Sequence, residues 1–268
     1  MSNIPCNAQL LKITPNIPSY LIQGDHIEFK VDLSNQLDSE VTGQVQLELI
    51  DSASQQSVDG WLMNIFPNQY FTIAVGKTET ILFPIQIPPQ FNKILKWRCS
   101  ARLGSNIDTN KNQKIQQEGI LPVLTNRIDD ANKIKEQNGI RLRKLITTKF
   151  STLNTSSIQC GDTIRIKLIV TCNRDFRNAV LTDVPPAGLN PVLNLEREKS
   201  LNNNLFRQYS FNNRCYFYLN HLKKGKNNIE YQVVARFNGT FNFGITTLDL
   251  ADVHKIIQYS SEQTITIE

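Results

Sequence analysis

Several things are scarce in this 268-residue sequence, and each scarcity removes a class of function. No apolar run approaches the roughly 20 residues that a membrane-spanning helix needs. Met1 to Cys6 is too short for a signal peptide, so an exported form would have lost its leader before this sequence begins. Histidine is rare: His26, His221 and His254 are far apart, each beside a turn or strand end, and they form no acid–base or metal cluster. The five cysteines, Cys6, Cys99, Cys160, Cys172 and Cys215, show neither CxxC spacing nor a paired histidine, which argues against a zinc site. Asp129-Asp130 and the pair Asp249 and Asp252 lack the ligand density of a calcium loop. No nucleophile elbow occurs. Charge of one sign is also lacking. The net charge is +5, the pI is about 8.9 and the basic residues are dispersed. Two clusters, Arg141, Arg143 and Lys144, and Lys223, Lys224 and Lys226, read as solvated loops rather than as a groove that tracks nucleic acid. These absences predict no enzyme activity, no cofactor, no metal site and no nucleic-acid partner.

What the sequence has is period-two alternation. In GDTIRIKLIVTCNRDFRNAVLTDVPPAGL, Gly161 to Leu189, residues Ile164, Ile166, Leu168, Val170 and Cys172 fall on one side of an extended chain. Gly161-Asp162 supplies the preceding turn, since glycine accepts positive φ and aspartate bonds nearby backbone N–H groups. A second strand from Ala179 to Val184 meets Pro185-Pro186, two residues without an N–H, and must stop. The same pattern appears half a chain earlier, where Gly24-Asp25 precedes Ile27, Phe29, Val31 and Leu33. Two domains of like architecture are the expectation.

Along the first half, an edge strand is predicted at Leu10 to Thr14, with strands at His26–Leu33 and Val41–Ile50. Phe71–Val75 and Thr78–Ile87 read as a hairpin closed by Gly76-Lys77. Strands follow at Trp97–Leu103 and Gln117–Leu124. About seven such strands are what an immunoglobulin-like sandwich needs. The texture changes at 126–149: Asp129 to Gln137 has the composition for two helical turns ended by Asn138-Gly139, and a helix that short is marginal alone. In the second half, Cys215–Leu219 and Ile229–Phe237 are strands, Asn238-Gly239 turns into Phe241–Leu250, and Gln263–Glu268 closes the domain. Cys172 and Cys99 sit on apolar faces, where free thiols behave as small hydrophobes. Pairings of Cys215 with Cys160 or Cys172 stay open for an oxidising compartment. Tyr216, Phe217, Tyr218 and Tyr231 form an aromatic stripe, readable as a recognition surface or as strand faces alternating between core and loop. Asn154 and Asn238 begin glycosylation sequons, meaningful only in a secreted eukaryotic protein. The fold expected is all-β: a sandwich at 1–125, a linker at 126–149 and a second sandwich at 150–268.

Both halves resemble domains of the bacterial alpha-2-macroglobulin family. The first half is similar to the macroglobulin domain that precedes the thioester domain, through Pro18, Tyr20, Gln23-Gly24-Asp25, QLELID and the exit LPVLTNR at Leu121–Arg127. The second resembles that family's last domain through GDTIRIKLIV, LTDVPPAGLNPV, YFYLNHLKKGKNNIEYQVVARFNGTF and FGITTLDL. The resemblance implies macroglobulin-type sandwiches and protein partners. In the family, several hundred helical residues separate these domains, whereas about twenty-five stand here. No Cys-x-Glu-Gln sequence occurs: the cysteines are followed by Asn7, Ser100, Gly161, Asn173 and Tyr216. The bait segment is absent as well. The expectation is therefore a non-enzymatic, extracellular, envelope or periplasmic module that lacks thioester and bait chemistry. It would act by contact with a protease or envelope protein. An alternative resemblance, carried by the Gly-Asp strand and its T-D-x-x-P-x-G exit, is to cell-surface adhesin or stalk domains.

Overall fold

The structure is a computed structural model that describes residues 11–104, 114–125, 139–147, 158–192, 199–201, 204–250, 255–259 and 263–268. It is built from strands, with no α-helix among the described residues. These residues divide into two units, one within Met1–Pro18 and His26–Val123, the other within Ser19–Asp25 and Leu124–Glu268.

The first nine strands are β1 (Leu11–Asn16), β2 (Leu21–Ile22), β3 (His26–Asn35), β4 (Val41–Asp51), β5 (Asn68–Ile73), β6 (Thr78–Gln86), β7 (Leu95–Leu103), β8 (Lys114–Leu121) and β9 (Val123–Leu124). In the first unit, β1 and β6 both pair antiparallel with β3, and a second sheet runs β5-β4-β7-β8. Alternation decides what is inside: Ile27, Phe29, Val31 and Leu33 are buried on β3, and Leu47 and Leu49 on β4. Phe29 meets Trp97 of β7 edge-on, with ring centroids 5.9 Å apart. Each such side chain contributes roughly 1.5–3 kcal/mol by leaving water.

One expected feature changes. Residues 71–87 do contain the turn at Gly76-Lys77, with Lys77 N–H donating to Ala74 O at 3.1 Å and Gly76 at φ 66°. The flanking strands do not form a hairpin ladder, because β5 pairs with β4 and β6 with β3. The turn carries the chain from one sheet to the other. Phe71 and Ile73 on one side, and Ile81, Phe83 and Ile85 on the other, are buried.

The remaining strands are β10 (Ile140–Thr147), β11 (Thr163–Cys172), β12 (Phe176–Asp183), β13 (Leu189–Pro191), β14 (Lys199–Leu201), β15 (Asn204–Phe211), β16 (Arg214–Leu222), β17 (Gly225–Ala235), β18 (Gly239–Asn242), β19 (Thr246–Leu250), β20 (Lys255–Tyr259) and β21 (Thr264–Ile267). In the second unit one sheet runs β10-β11-β17-β13, another runs β14-β15-β16-β12-β19-β20, and β18 pairs with β21. The proline stop is where the sequence places it: β12 ends at Asp183, Val184–Gly188 crosses over, and β13 pairs with β17 in the other sheet.

Residues 140–147, read as linker from the sequence, form β10 instead. Their inward positions are Ile140, Leu142, Lys144 and Ile146, an alternation interrupted by a charge. The helix expected at Asp129–Gln137 lies outside the described residues. The segment Phe241–Leu250 is also two strands rather than one, broken at Phe243–Ile245 as the chain changes partner strands.

Both Gly-Asp turns have the same construction. Asp25 N–H donates to Ile22 O at 3.0 Å and its Oδ2 accepts from Ile22 N–H at 2.8 Å, while Asp162 repeats the pair with Gln159 at 3.0 and 3.0 Å. Gly24 and Gly161 hold φ of 85° and 98°. The first copy belongs to the second unit. There Asp25 Oδ1 accepts from Asn242 N–H at 2.7 Å, Asn242 Nδ2 donates to Gln23 O at 3.0 Å, and Gln23 N–H donates to Leu124 O at 2.9 Å. Tyr20 O–H donates to Pro185 O at 2.6 Å, and Leu21 and Ile22 are fully buried.

Candidate functional site

Two arrangements stand out, one on the surface of the first unit and one inside the second. The surface arrangement lies between β4 and β5. A single turn of 3-10 helix, Asp59–Leu62, ends at Met63 in the left-handed region, φ 58°. A non-glycine residue there is uncommon and has to be held. Asp59 holds it: Oδ1 accepts from Leu49 N–H at 2.9 Å and from Asn64 Nδ2 at 2.8 Å, and Oδ2 accepts from Ser57 Oγ at 2.8 Å. Asn64, itself buried, also donates to Leu47 O at 3.1 Å, and Leu62 is plugged into the core. On this frame Trp61, Met63, Ile65 and Phe66 point outward, Phe66 at 73 % exposure, and Tyr70 of β5 follows at 82 %. Lys93 Nζ sits 5.8 Å from the Trp61 ring centre and 2.6 Å from Asp51 Oδ2. Four large apolar side chains within six residues, on a braced loop, form a clustered exposed patch rather than the scattered single exposures of an ordinary exterior. In the sequence the only signal of this loop is Trp61–Phe66, an apolar run that fits neither strand nor helix periodicity.

The interior arrangement surrounds Asp183, at the end of β12. Lys144 Nζ lies 2.8 Å from Asp183 Oδ1 and donates to Val184 O at 2.8 Å, and neither side chain of the ion pair has any exposure. Tyr231 O–H donates to Asp183 Oδ2 at 2.5 Å, and Thr246 Oγ1 donates to Oδ1. Lys144 Nζ also lies 5.6 Å from the centre of the Phe243 ring, and the Phe217 and Tyr231 rings are 5.5 Å apart. Burial, and then the charge of Asp183, pushes the Tyr231 phenol well above its ordinary value. The same two causes push the Cys215 thiol up to about 12. Lys144, Asp183, Tyr231, Thr246 and Cys215 are all buried.

None of the three is a loop residue: Arg141 and Arg143 lie on the outward face of strand β10, and Lys144 occupies the core position between Leu142 and Ile146. The aromatic stripe splits as alternation requires, with Phe217 and Tyr231 in the core and Tyr218 half-exposed. Cys99, Cys160, Cys172 and Cys215 are free thiols, so neither pairing left open for Cys215 is present. Cys160 is exposed and donates to Asn238 Oδ1 at 3.0 Å, and burial raises Cys99 to about 12 and Cys172 to about 11. His26 starts β3, and His221 lies 3.0 Å from Asp175 on the exterior. Cys6, Asp129, Asp130, Asn154, Asp252 and His254 lie outside the described residues. Among the described residues no group of three metal-ligating side chains converges.

The described residues form a pair of antiparallel β-sandwich units, one displaying an exposed apolar loop and the other enclosing a buried ion pair. Comparison with solved structures finds the same fold elsewhere. Native alpha-2-macroglobulin from Escherichia coli, spanning domain MG7 to the C-terminus, matches with a TM-score of 0.71 at 6% identity over 96% of this chain and 99% of that one. Salmonella alpha-2-macroglobulin reacted with methylamine gives 0.72 at 7% identity, over 96% of this chain and 40% of that one. Trypsin-activated alpha-2-macroglobulin from Escherichia coli gives 0.71 at 7% identity, over 97% and 43%. The chain therefore spans less than half the length of the last two, and identities this low speak to fold alone. No curated protein matches the sequence. Residues 139–251 match the family model of the bacterial alpha-2-macroglobulin MG10 domain, so this part of the chain is similar to that domain.

Proposed function

We propose that this protein is a non-enzymatic contact module of an alpha-2-macroglobulin-type protease-defence system, working in the periplasm, cell envelope or extracellular space. Its partner is a protein, either a protease or an envelope component. The observation that carries the reading is the braced loop from Asp59 to Pro67, which presents Trp61, Met63, Ile65 and Phe66 to solvent. Aromatic and methionine side chains displayed from a hydrogen-bonded backbone are the residue types enriched at interface centres. The sequence supports the reading from a second side: it carries no Cys-x-Glu-Gln segment, the pattern on which covalent capture of a protease through a thioester depends.

A protease challenge followed by intact-mass measurement tests the non-covalent part. Trypsin is expected to keep its activity towards small substrates, and methylamine is expected to add no mass. Cleavage of this chain coupled to inhibition would contradict the proposal. A photo-crosslinking residue in place of Phe66, in cells that express the chain, tests the contact. A discrete protein adduct is expected there and not from the exposed position Glu40; the absence of any protein adduct at Phe66 counts against the loop as the contact.

A further inference from the structure

The Lys144–Asp183 pair brings an amine and a carboxyl into contact in an enclosed site, and nothing in the proposed contact function uses it. We infer that Lys144 and Asp183 form an intramolecular amide bond that covalently ties β10 to the end of β12. The reacting groups are already adjacent, with Nζ 2.8 Å from Oδ1 and both side chains completely enclosed. Holding two reactants in contact inside a fold replaces a bimolecular encounter and raises the effective concentration by many orders of magnitude.

The surroundings supply the rest of the chemistry. An ion pair without water is costly, and a proton passing from Nζ to the carboxylate leaves an uncharged amine and an uncharged carboxylic acid in the same place. The amine lone pair then attacks Cγ of Asp183. The oxygen that gains negative charge in the tetrahedral intermediate sits against the Tyr231 O–H, 2.5 Å from Oδ2, a donor aimed in advance at where charge develops. Thr246 Oγ1 donates to the other oxygen, Oδ1. The intermediate collapses as the Cγ–Oδ1 bond breaks. The departing oxygen takes its second proton from the attacking nitrogen and leaves as water. The balance is complete: an ammonium and a carboxylate become one secondary amide and one water, with no oxidant, cofactor or leaving group from elsewhere. Val184 O accepts from Nζ at 2.8 Å and keeps the nitrogen in place as it approaches. Enclosure by Phe243 and Tyr231 also protects the product from hydrolysis.

The sequence alone would not suggest this, because Lys144 looks like one member of a basic run and Asp183 like a polar residue at the end of a strand. The two meet because each occupies an inward position of its strand, where apolar residues precede them at Leu142 and Leu181.

Intact-mass measurement of the denatured full-length protein decides the matter, with correction for the initiator methionine. The expected mass is lower than the sequence mass by one water, and a branched peptide joining the Lys144 and Asp183 fragments appears after digestion. Lys144→Arg and Asp183→Ala are each expected at full mass. Wild-type protein at full sequence mass after prolonged incubation overturns the inference. So does a water loss that persists in Lys144→Arg, which would place the dehydration elsewhere, as a succinimide. Because the decisive measurement is made on the wild-type chain, a variant that folds poorly does not blunt it. Failure here leaves the contact function untouched, since that rests on the other unit.

Discussion

Cutting the chain at the apparent boundary between its halves should damage the second half. The second unit includes Ser19–Asp25, which sequence order assigns to the first. A fragment beginning at Leu124 loses the buried side chains of Tyr20, Leu21 and Ile22. At roughly 1.5–3 kcal/mol each, with allowance for the partly compact unfolded chain, their removal costs on the order of 6 kcal/mol. The lost hydrogen bonds add to this: Asn242 N–H and Nδ2, Leu124 O and Pro185 O are all left without the partners they have in the whole chain. A domain of this size is stable by only about 5–15 kcal/mol, so the fragment should be marginal or molten. Both tryptophans, Trp61 and Trp97, lie in the first unit and cannot report on the second. Hydrogen exchange of the β11 and β17 amides can. Protection in the 124–268 fragment is expected to collapse relative to the full chain. Equal protection in the two would refute the idea that Ser19–Asp25 is an integral part of this core.

Four further outcomes are expected. Burial raises the Asp25 carboxyl to about 7, against the ordinary value of about 4. Because the folded state then holds its proton more tightly, this residue's contribution to stability is full below pH 4 and fades as pH rises through 7; Asp25→Asn should flatten that slope in urea unfolding. Gly188→Ala should be strongly destabilising, because a Cβ there would lie 2.3 Å from Phe241 Cε2; thermal unfolding measures it. In a Cys6→Ser background, iodoacetamide should label Cys160 and spare Cys99, Cys172 and Cys215, whose thiols are buried; peptide mapping counts the adducts. Asp59→Ala should cost about 1–3 kcal/mol by leaving Leu49 N–H and Asn64 without their acceptor, and should weaken any partner bound at Phe66. Chemical denaturation followed by tryptophan emission reads the first effect.

Much of the fold is legible because alternation is a local signal. Ile164 to Cys172 can be assigned to one face from their spacing alone, and Pro185-Pro186 says where the strand must stop. What is not legible depends on partners distant in sequence. The turn at Gly76-Lys77 looks the same whether its strands pair with each other or with β4 and β3, since a turn fixes chain reversal and not ladder partners. Lys144 was hidden for a different reason. A charge at an inward position breaks the apolar pattern, and only Asp183, from another strand, makes that position tolerable. The exposed loop is not legible because Trp61 to Phe66 follow no period, and burial, not composition, separates a core run from a displayed one.

The clamp made by Asp59 and Asn64 has a kinetic corollary. A ligand meeting a surface that does not rearrange docks by rigid encounter, so association rates among related partners should cluster narrowly. Differences in tightness would then appear as differences in how long each partner stays.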